Sequence, residues 1–300
     1  MRLGVAALAL MVAAVGVLPA AGAWAAAAPD DDPTRFGLFR HKSEFSRQLK
    51  AGAQLYVSGV RTEVSVSQRS RSTIRIQATL YSFNRDRLGQ IRLETEETAD
   101  GWRVAVRWPG GEPRRGERAE LDIITPPLEL LDVDVQNAEI SIEKLRTDEV
   151  RLRTSNEEIS VDELIGRLDA RTSNAEIEVD DQQGDARLKT SNARIEVAMQ
   201  SGGLSASTSN ASIDAEARFL DGDESVELDT SNGSVELSVS KNLRGRIEAE
   251  TSNGGMSATG FTAVNGTSMG PEGGFLQIGE DRTVRAKIST SNGRVVLRGE

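Results

Sequence analysis

The chain has no cysteine and a single histidine, His41. Without cysteine there can be no disulfide framework, no thiolate metal site and no lipid-modified cysteine anchor. One histidine, placed in a polar segment near the start, leaves a histidine-dependent catalytic constellation without its base. The formal charge is −10 at pH 7, an excess of one sign that speaks against nucleic acid and anionic lipid as partners. Phosphate-loop chemistry is missing too: Gly270-Pro271-Glu272-Gly273-Gly274 lacks the Lys-Ser/Thr that follows such a loop and reads as a turn. The glycine-aspartate nonapeptide of calcium-binding solenoids does not occur. These absences predict no catalytic residues, no cofactor and no dedicated metal site.

Long apolar runs are confined to the start. Arg2, the run Leu3 to Leu18, Pro19 and then Ala23-Trp24-Ala25 form the pattern of a secretory leader with a small-residue cleavage site, so 1–25 is read as a signal peptide. No second apolar span follows, and the exported chain is expected to carry no membrane span. Removing the leader takes away only Arg2 and leaves the balance more acidic. Residues 26–50 are polar and irregular and read as a linker, in which Phe36, Phe39, Phe45 and Leu49 could instead form a short capping helix.

From 51 to 130 short segments alternate apolar and polar residues with period two. Val64-Ser65-Val66, Ile74-Arg75-Ile76 and Trp102-Arg103-Val104-Ala105-Val106-Arg107-Trp108 are examples, separated by Gly, Pro and Asn turns. These are half-buried strands. Pro126-Pro127 closes the region.

From 131 to 300 a repeat takes over. Thr-Ser-Asn occurs seven times, beginning at Thr154, Thr172, Thr190, Thr208, Thr230, Thr251 and Thr290, and Val135-Gln136-Asn137 is a worn copy. The threonines are spaced 18, 18, 18, 22, 21 and 39 residues apart. The residues four and two before each threonine position are apolar, as in Leu168/Ala170, and so are those three and five after each asparagine, as in Ile177/Val179 and Val295/Leu297. Each unit is therefore a strand, a polar corner and a second strand.

Two architectures could use this pattern. An antiparallel meander would exploit Asn232-Gly233, Asn253-Gly254 and Asn292-Gly293 as hairpin turns. The same slot elsewhere holds Glu157, Ala175, Ala193 and Ala211, which resist the positive φ of such a turn. A β-solenoid asks only that each asparagine adopt a left-handed corner, and it stacks like residues on like. The reading is all-β: a single-stranded β-solenoid of about eight Thr-Ser-Asn rungs, preceded by irregular strands that extend or cap it, with 51–300 as one continuous domain. Its corner ladder is Asn137, Asn156, Asn174, Asn192, Asn210, Asn232, Asn253 and Asn292.

The repeated T-S-N-[AG]-x-[IV]-x-[VL], together with the glycine-rich excursion that leads into Ile288-Ser289-Thr290-Ser291-Asn292-Gly293-Arg294-Val295-Val296-Leu297, resembles a bacterial family. Its members are exported β-strand-repeat proteins of unknown function, catalogued as candidate adhesins. The resemblance runs from about Ala51 to Glu300 and implies a structural or binding role without catalytic residues. Some relatives are associated with envelope-stress systems.

The outward positions hold the remaining candidates. If neighbours in sequence stack, Glu227 and Asp229 lie beside Glu248 and Glu250, an acidic patch that would suit a divalent cation or a basic partner. Asp132 and Asp134 face Arg151 and Arg153. The outward serines of the corners could meet glycan hydroxyls. The excursion from Thr259 to Arg282 carries Phe261 and Phe275, two of seven phenylalanines, and is either a binding loop or a cap on the open end. The expected function is a non-enzymatic exported structural or adhesin-like protein of the cell envelope, at the periplasm or cell surface, with an envelope protein or surface glycan as partner. The alternatives are an envelope-stress sensor module and, behind it, a β-helix carbohydrate-active enzyme.

Overall fold

In the computed structural model the described residues are 30–33, 39–69, 72–217, 224–241, 243–261, 264–270, 273–278 and 284–300; the leader reading falls outside them. The chain is an all-β, β-solenoid-like fold, with one short helix, Arg85–Leu88, among the described residues. The strands before the corners form one parallel sheet, called here sheet one, and the strands after them a second, sheet two. Leu168 pairs with Ala186 and Ala186 with Leu204 in sheet one, while Ile159, Ile177, Ile195 and Ile213 run in register through sheet two. The alternating residues pointing inward from both sheets merge into one aliphatic core.

Three expectations are corrected. The corners do not rest on left-handed asparagine: among the corner asparagines described, Asn137 alone has positive φ, 54°. The other corners bend at negative φ, which is why alanine and glutamate are accepted after the asparagine. The left-handed residues sit at the opposite bend, at Lys144, Glu163 and Asp181 and then Gly166, Gly184 and Gly202. Glycine is required there on two counts. Gly184 has φ +113°, and a Cβ on it would lie 2.6 Å from the Gly166 carbonyl oxygen.

The second correction concerns 39–50, within the expected linker; Phe36 lies outside the described residues. Phe39–Lys50 is a strand, antiparallel to Thr73–Ser82. Ser43 and Leu49 are buried, and Phe45 packs on the core, all on one period-two face. The unpaired edge of Thr73–Ser82 supplies a ladder of backbone partners that outweighs any local helical tendency.

The third concerns order. Through the middle, units stack in chain order. At the C-terminal end Ser225–Thr230 pairs with Val284–Thr290, which pairs in turn with Gly245–Thr251. The last Thr-Ser-Asn unit is thus inserted between its two predecessors. The N-terminal end mirrors this: Gln54–Val60 lies between Gly101–Arg107 and Leu128–Gln136. The excursion before the final unit is a β-hairpin, Val264–Met269 against Gly273–Ile278, whose second strand is antiparallel to Gly245–Thr251 and extends sheet one.

Candidate functional site

Two columns of side chains hold the corners together. Each corner threonine is buried, and its hydroxyl donates to the carbonyl following the asparagine of the neighbouring unit. Thr190 reaches Ala175 at 3.1 Å, Thr208 reaches Ala193 at 3.0 Å, Thr251 reaches Gly293 at 3.0 Å and Thr290 reaches Gly233 at 2.9 Å. On the outside the asparagine amides form a chain. Asn174 donates to Asn156, Asn192 to Asn174, Asn210 to Asn192 and Asn232 to Asn210, at 2.6–3.0 Å. The chain then passes from Asn292 to Asn232 and from Asn253 to Asn292, both at 2.8 Å, following spatial rather than sequence order; Asn156 also donates to Asn137. These residues are structural, and the serines between them face solvent or lie half-buried.

The inserted unit changes the acidic patch. Glu227, Asp229, Glu248 and Glu250 do not lie on adjacent strands: Lys287 stands between Glu227 and Glu248, and Ser289 between Asp229 and Glu250. The reason is topological, since equal motifs can stack in either order and the last unit took the inner place. No set of three acidic or histidine side chains is gathered as a metal cluster among the described residues. Farther along the sheet, Arg153 pairs with Asp132 at 3.4 Å.

What the chain does assemble is a groove of about 910 Å³ where sheet one meets the corners. Asp229, Glu248, Glu250 and Phe275 line it, together with the corner serines Ser231, Ser252 and Ser291. Glu227 lies outside it, in a neighbouring groove. Hairpin pairing sets Phe275 opposite Glu248. Arg246 stacks on the Phe275 ring, 4.2 Å from its centroid, and its Nε donates to Glu248 at 2.6 Å. The ring is thereby fixed by a cation–π contact that is itself anchored by an ion pair. Gly273 and Gly274, opposite Glu250 and Ala249, contribute no side chains and keep that wall low. Ser289 donates to Asp229. Phe261 packs instead against the core and takes no part in the groove. Ser289 escaped the sequence reading because its partner is set by the out-of-order stacking, and Arg246 because its contact with Phe275 is set by the antiparallel hairpin strand.

Sheet two shows an opposite face. Glu178, Glu196, Asp214 and Glu236 follow one another in register on successive strands, as do Glu143, Asp162 and Asp180. Partial burial, then the crowding of Asp180, Glu158, Glu196 and Glu176, raises the Glu178 carboxyl above its usual range. Burial and then Glu163, Asp180 and Asp181 raise Asp162 in the same way; Lys144 offsets part of this. At the N-terminal end Glu117 is buried and held low, first by the Arg87 hydrogen bond and then by the Arg114 backbone and Ser82.

A family model described as Toastrack DUF4097 matches residues 54–298. Among curated proteins none matches the chain. A candidate adhesin of Bacteroides fragilis NCTC 9343 is similar at 11% identity, over 85% of this chain and 96% of that one, with a TM-score of 0.39. A candidate adhesin of Parabacteroides merdae ATCC 43184 is similar at 12% identity over 86% and 96%, with a TM-score of 0.37. A candidate lipid binding protein of Parabacteroides distasonis ATCC 8503 follows at 10% over 84% and 96%, with a TM-score of 0.33. Likenesses so remote say nothing about activity. The family match is of another order, spanning most of the chain including both inserted units, and on it the protein belongs to the Toastrack DUF4097 family.

Proposed function

We propose that the protein is a non-enzymatic, exported, adhesin-like binding protein of the bacterial envelope, and that its ligand is a surface glycan. In this reading a single-stranded solenoid of about eight Thr-Ser-Asn rungs serves as a rigid mount for the groove at its C-terminal end. The observation that carries the reading is the convergence there of Phe275, Asp229, Glu248, Glu250 and the corner serines. Carboxylates and hydroxyls accept hydrogen bonds from sugar hydroxyls, and an aromatic ring packs on the apolar face of a pyranose. All of these groups stand on strands or corners fixed by neighbouring units, so little ordering is needed on binding. The acids line an open groove beside an arginine that is already paired, which suits binding better than proton transfer.

The test is titration of the purified protein with envelope polysaccharides and their fragments by calorimetry. Binding should be abolished by Phe275→Ala and weakened by Glu250→Gln, with the melting temperature of Glu250→Gln unchanged. Hydrolase or lyase turnover of any of these polysaccharides would overturn the non-enzymatic reading, and equal affinity of both variants and the parent would overturn the groove. Export is tested by N-terminal sequencing of the mature protein, with cleavage expected near Ala25.

A further inference from the structure

The four outermost strands of the described fold differ in chemistry. Asp30–Pro33 and Arg92–Glu97 bound the N-terminal end, and each pairs on one side only among the described residues. Their sequences, Asp-Asp-Asp-Pro and Arg-Leu-Glu-Thr-Glu-Glu, carry charges and a proline, the usual means of refusing a further strand. Met256–Thr259 and Val264–Met269 bound the other end, again paired on one side only among the described residues. Their sequences, Met-Ser-Ala-Thr and Val-Asn-Gly-Thr-Ser-Met, hold no charge and no proline. The hairpin carries sheet one two strands past Met256–Thr259, so Val264–Met269 projects by about 10 Å at ~4.8 Å per strand. Val264, which opens this strand, is 43% exposed, one of two large apolar residues exposed among those described.

We propose that Val264–Met269 is a pairing edge at which a second copy of this chain docks, antiparallel and end to end. The unpaired backbone groups specify an extended strand as occupant, and charge selects which strand. A second copy approaching side-on meets the acidic columns of sheet two, offset only in part by Arg194 and Arg298 and carried by a chain of formal charge −10. A copy presenting its N-terminal end brings either Asp30–Pro33, whose proline cannot donate to the ladder, or Arg92–Glu97. In the latter Glu94 and Glu96 pair with Arg107 and Arg103 of their own copy and would lose water against an uncharged strand that adds no partner. The same uncharged strand of a second copy meets neither penalty. Antiparallel pairing of a strand with itself is two-fold symmetric and closes at a dimer. The register shift between Val264 and Gly266 bends the start of the strand and leaves Gly266–Met269 as the straight portion for pairing. So short a contact falls below a standard interface, and the dimer is expected to be weak and concentration-dependent.

Sedimentation velocity of the purified protein across the micromolar range should show a reversible monomer–dimer equilibrium. Val264→Lys and Ser268→Lys, both at exposed positions, should abolish the dimer while leaving the melting temperature of the monomer unchanged. The absence of native cysteine allows a second test. Ser268→Cys should give a disulfide-linked dimer under mild oxidation, whereas Ser257→Cys on the recessed edge should not. A monomer at every concentration, a dimer that survives both lysines, or cross-linking at Ser257 in preference to Ser268 would each overturn the proposal. Binding of an unrelated strand peptide to the hairpin without self-association would overturn the second copy as occupant.

Discussion

The middle of the molecule and its two ends follow different rules for choosing neighbours. From Thr154 to Thr208 the spacing is a constant 18, the residue after the asparagine is Glu or Ala, and each unit stacks on the next in the chain. At the C-terminal end the spacing changes to 22, 21 and 39, the slot becomes glycine, and the last unit stands between its two predecessors. The glycines are not interchangeable with the alanines of the middle. A Cβ on Gly233 would lie 1.8 Å from the Ala211 oxygen, on Gly293 1.7 Å from the Gly233 oxygen, and on Gly254 1.7 Å from the Gly293 oxygen. The three glycine corners form a tighter column than the alanine corners. A constant connector allows only the next unit to be reached, whereas a long one admits two orders.

The sharpest way to break this contrast is Gly293→Ala, which forces two backbones apart and should cost about 3 kcal/mol in denaturant unfolding. The reverse change, Ala193→Gly, should cost about 1 kcal/mol or less, from chain entropy alone. If both cost the same, the corners are equivalent and the distinction fails. Next in size is Asn192→Ala. It removes the hydrogen bond donated to Asn174, the longer one donated to the Ser173 carbonyl and the one accepted from Asn210, about 1–2 kcal/mol together, with no backbone strain because that corner is not left-handed. Asn253→Ala ends the ladder and loses one bond, so about half that effect is expected. Thr190→Val should cost about 1 kcal/mol by orphaning the Ala175 carbonyl, and Ser191→Ala should be nearly silent.

The smallest effect concerns pH. Glu178 and Asp162 bind their protons more tightly in the folded chain, so sheet two contributes most below the ordinary carboxylate range and loses that contribution as pH rises through their raised values. Glu117 works in the opposite sense: its contribution is complete above the ordinary range and is lost as pH falls through its lowered value. The melting temperature should therefore rise slightly as pH falls from neutral through the raised values of Glu178 and Asp162, and drop at lower pH still, once Glu117 takes up its proton below the ordinary carboxylate range. Replacing Glu178 and Asp162 with their amides should reduce the rise, to which the raised carboxyls of Glu63 and Asp132 also contribute, and leave the acid limb in place.

Period and polarity made the all-β repeat legible, because Ile177, Ile195 and Ile213 can be buried together only if their strands lie in register. The asparagine ladder was legible for the same reason. The threonine hydroxyls were not, since period-two patterning marks threonine as inward without saying which carbonyl it meets. Nor was the strand Phe39–Lys50, whose conformation is imposed by the edge of Thr73–Ser82, farther along the chain. At the groove the sequence singles out Asp229, Glu248, Glu250 and Phe275, but in another arrangement, with the acids on adjacent strands and Phe275 apart from them. Sequence shows which residues are equivalent, and equivalence cannot rank Thr251 against Thr290 for the place beside Thr230.

The inserted final unit also sets a timetable. Gly245–Thr251 is synthesised before Val284–Thr290 yet rests on it, so a chain emerging from a ribosome or a translocation pore cannot seat the earlier strand in its final place. Until the last residues arrive, Ser225–Thr230 presents an open ladder that Gly245–Thr251 can occupy in sequence order. The closing residues must displace it or arrive first. A chain ending before Val284 should therefore stack its units in the order of synthesis, with Glu227 and Asp229 directly against Glu248 and Glu250. The groove at Phe275 would then belong only to protein in which Val284–Thr290 has already been made.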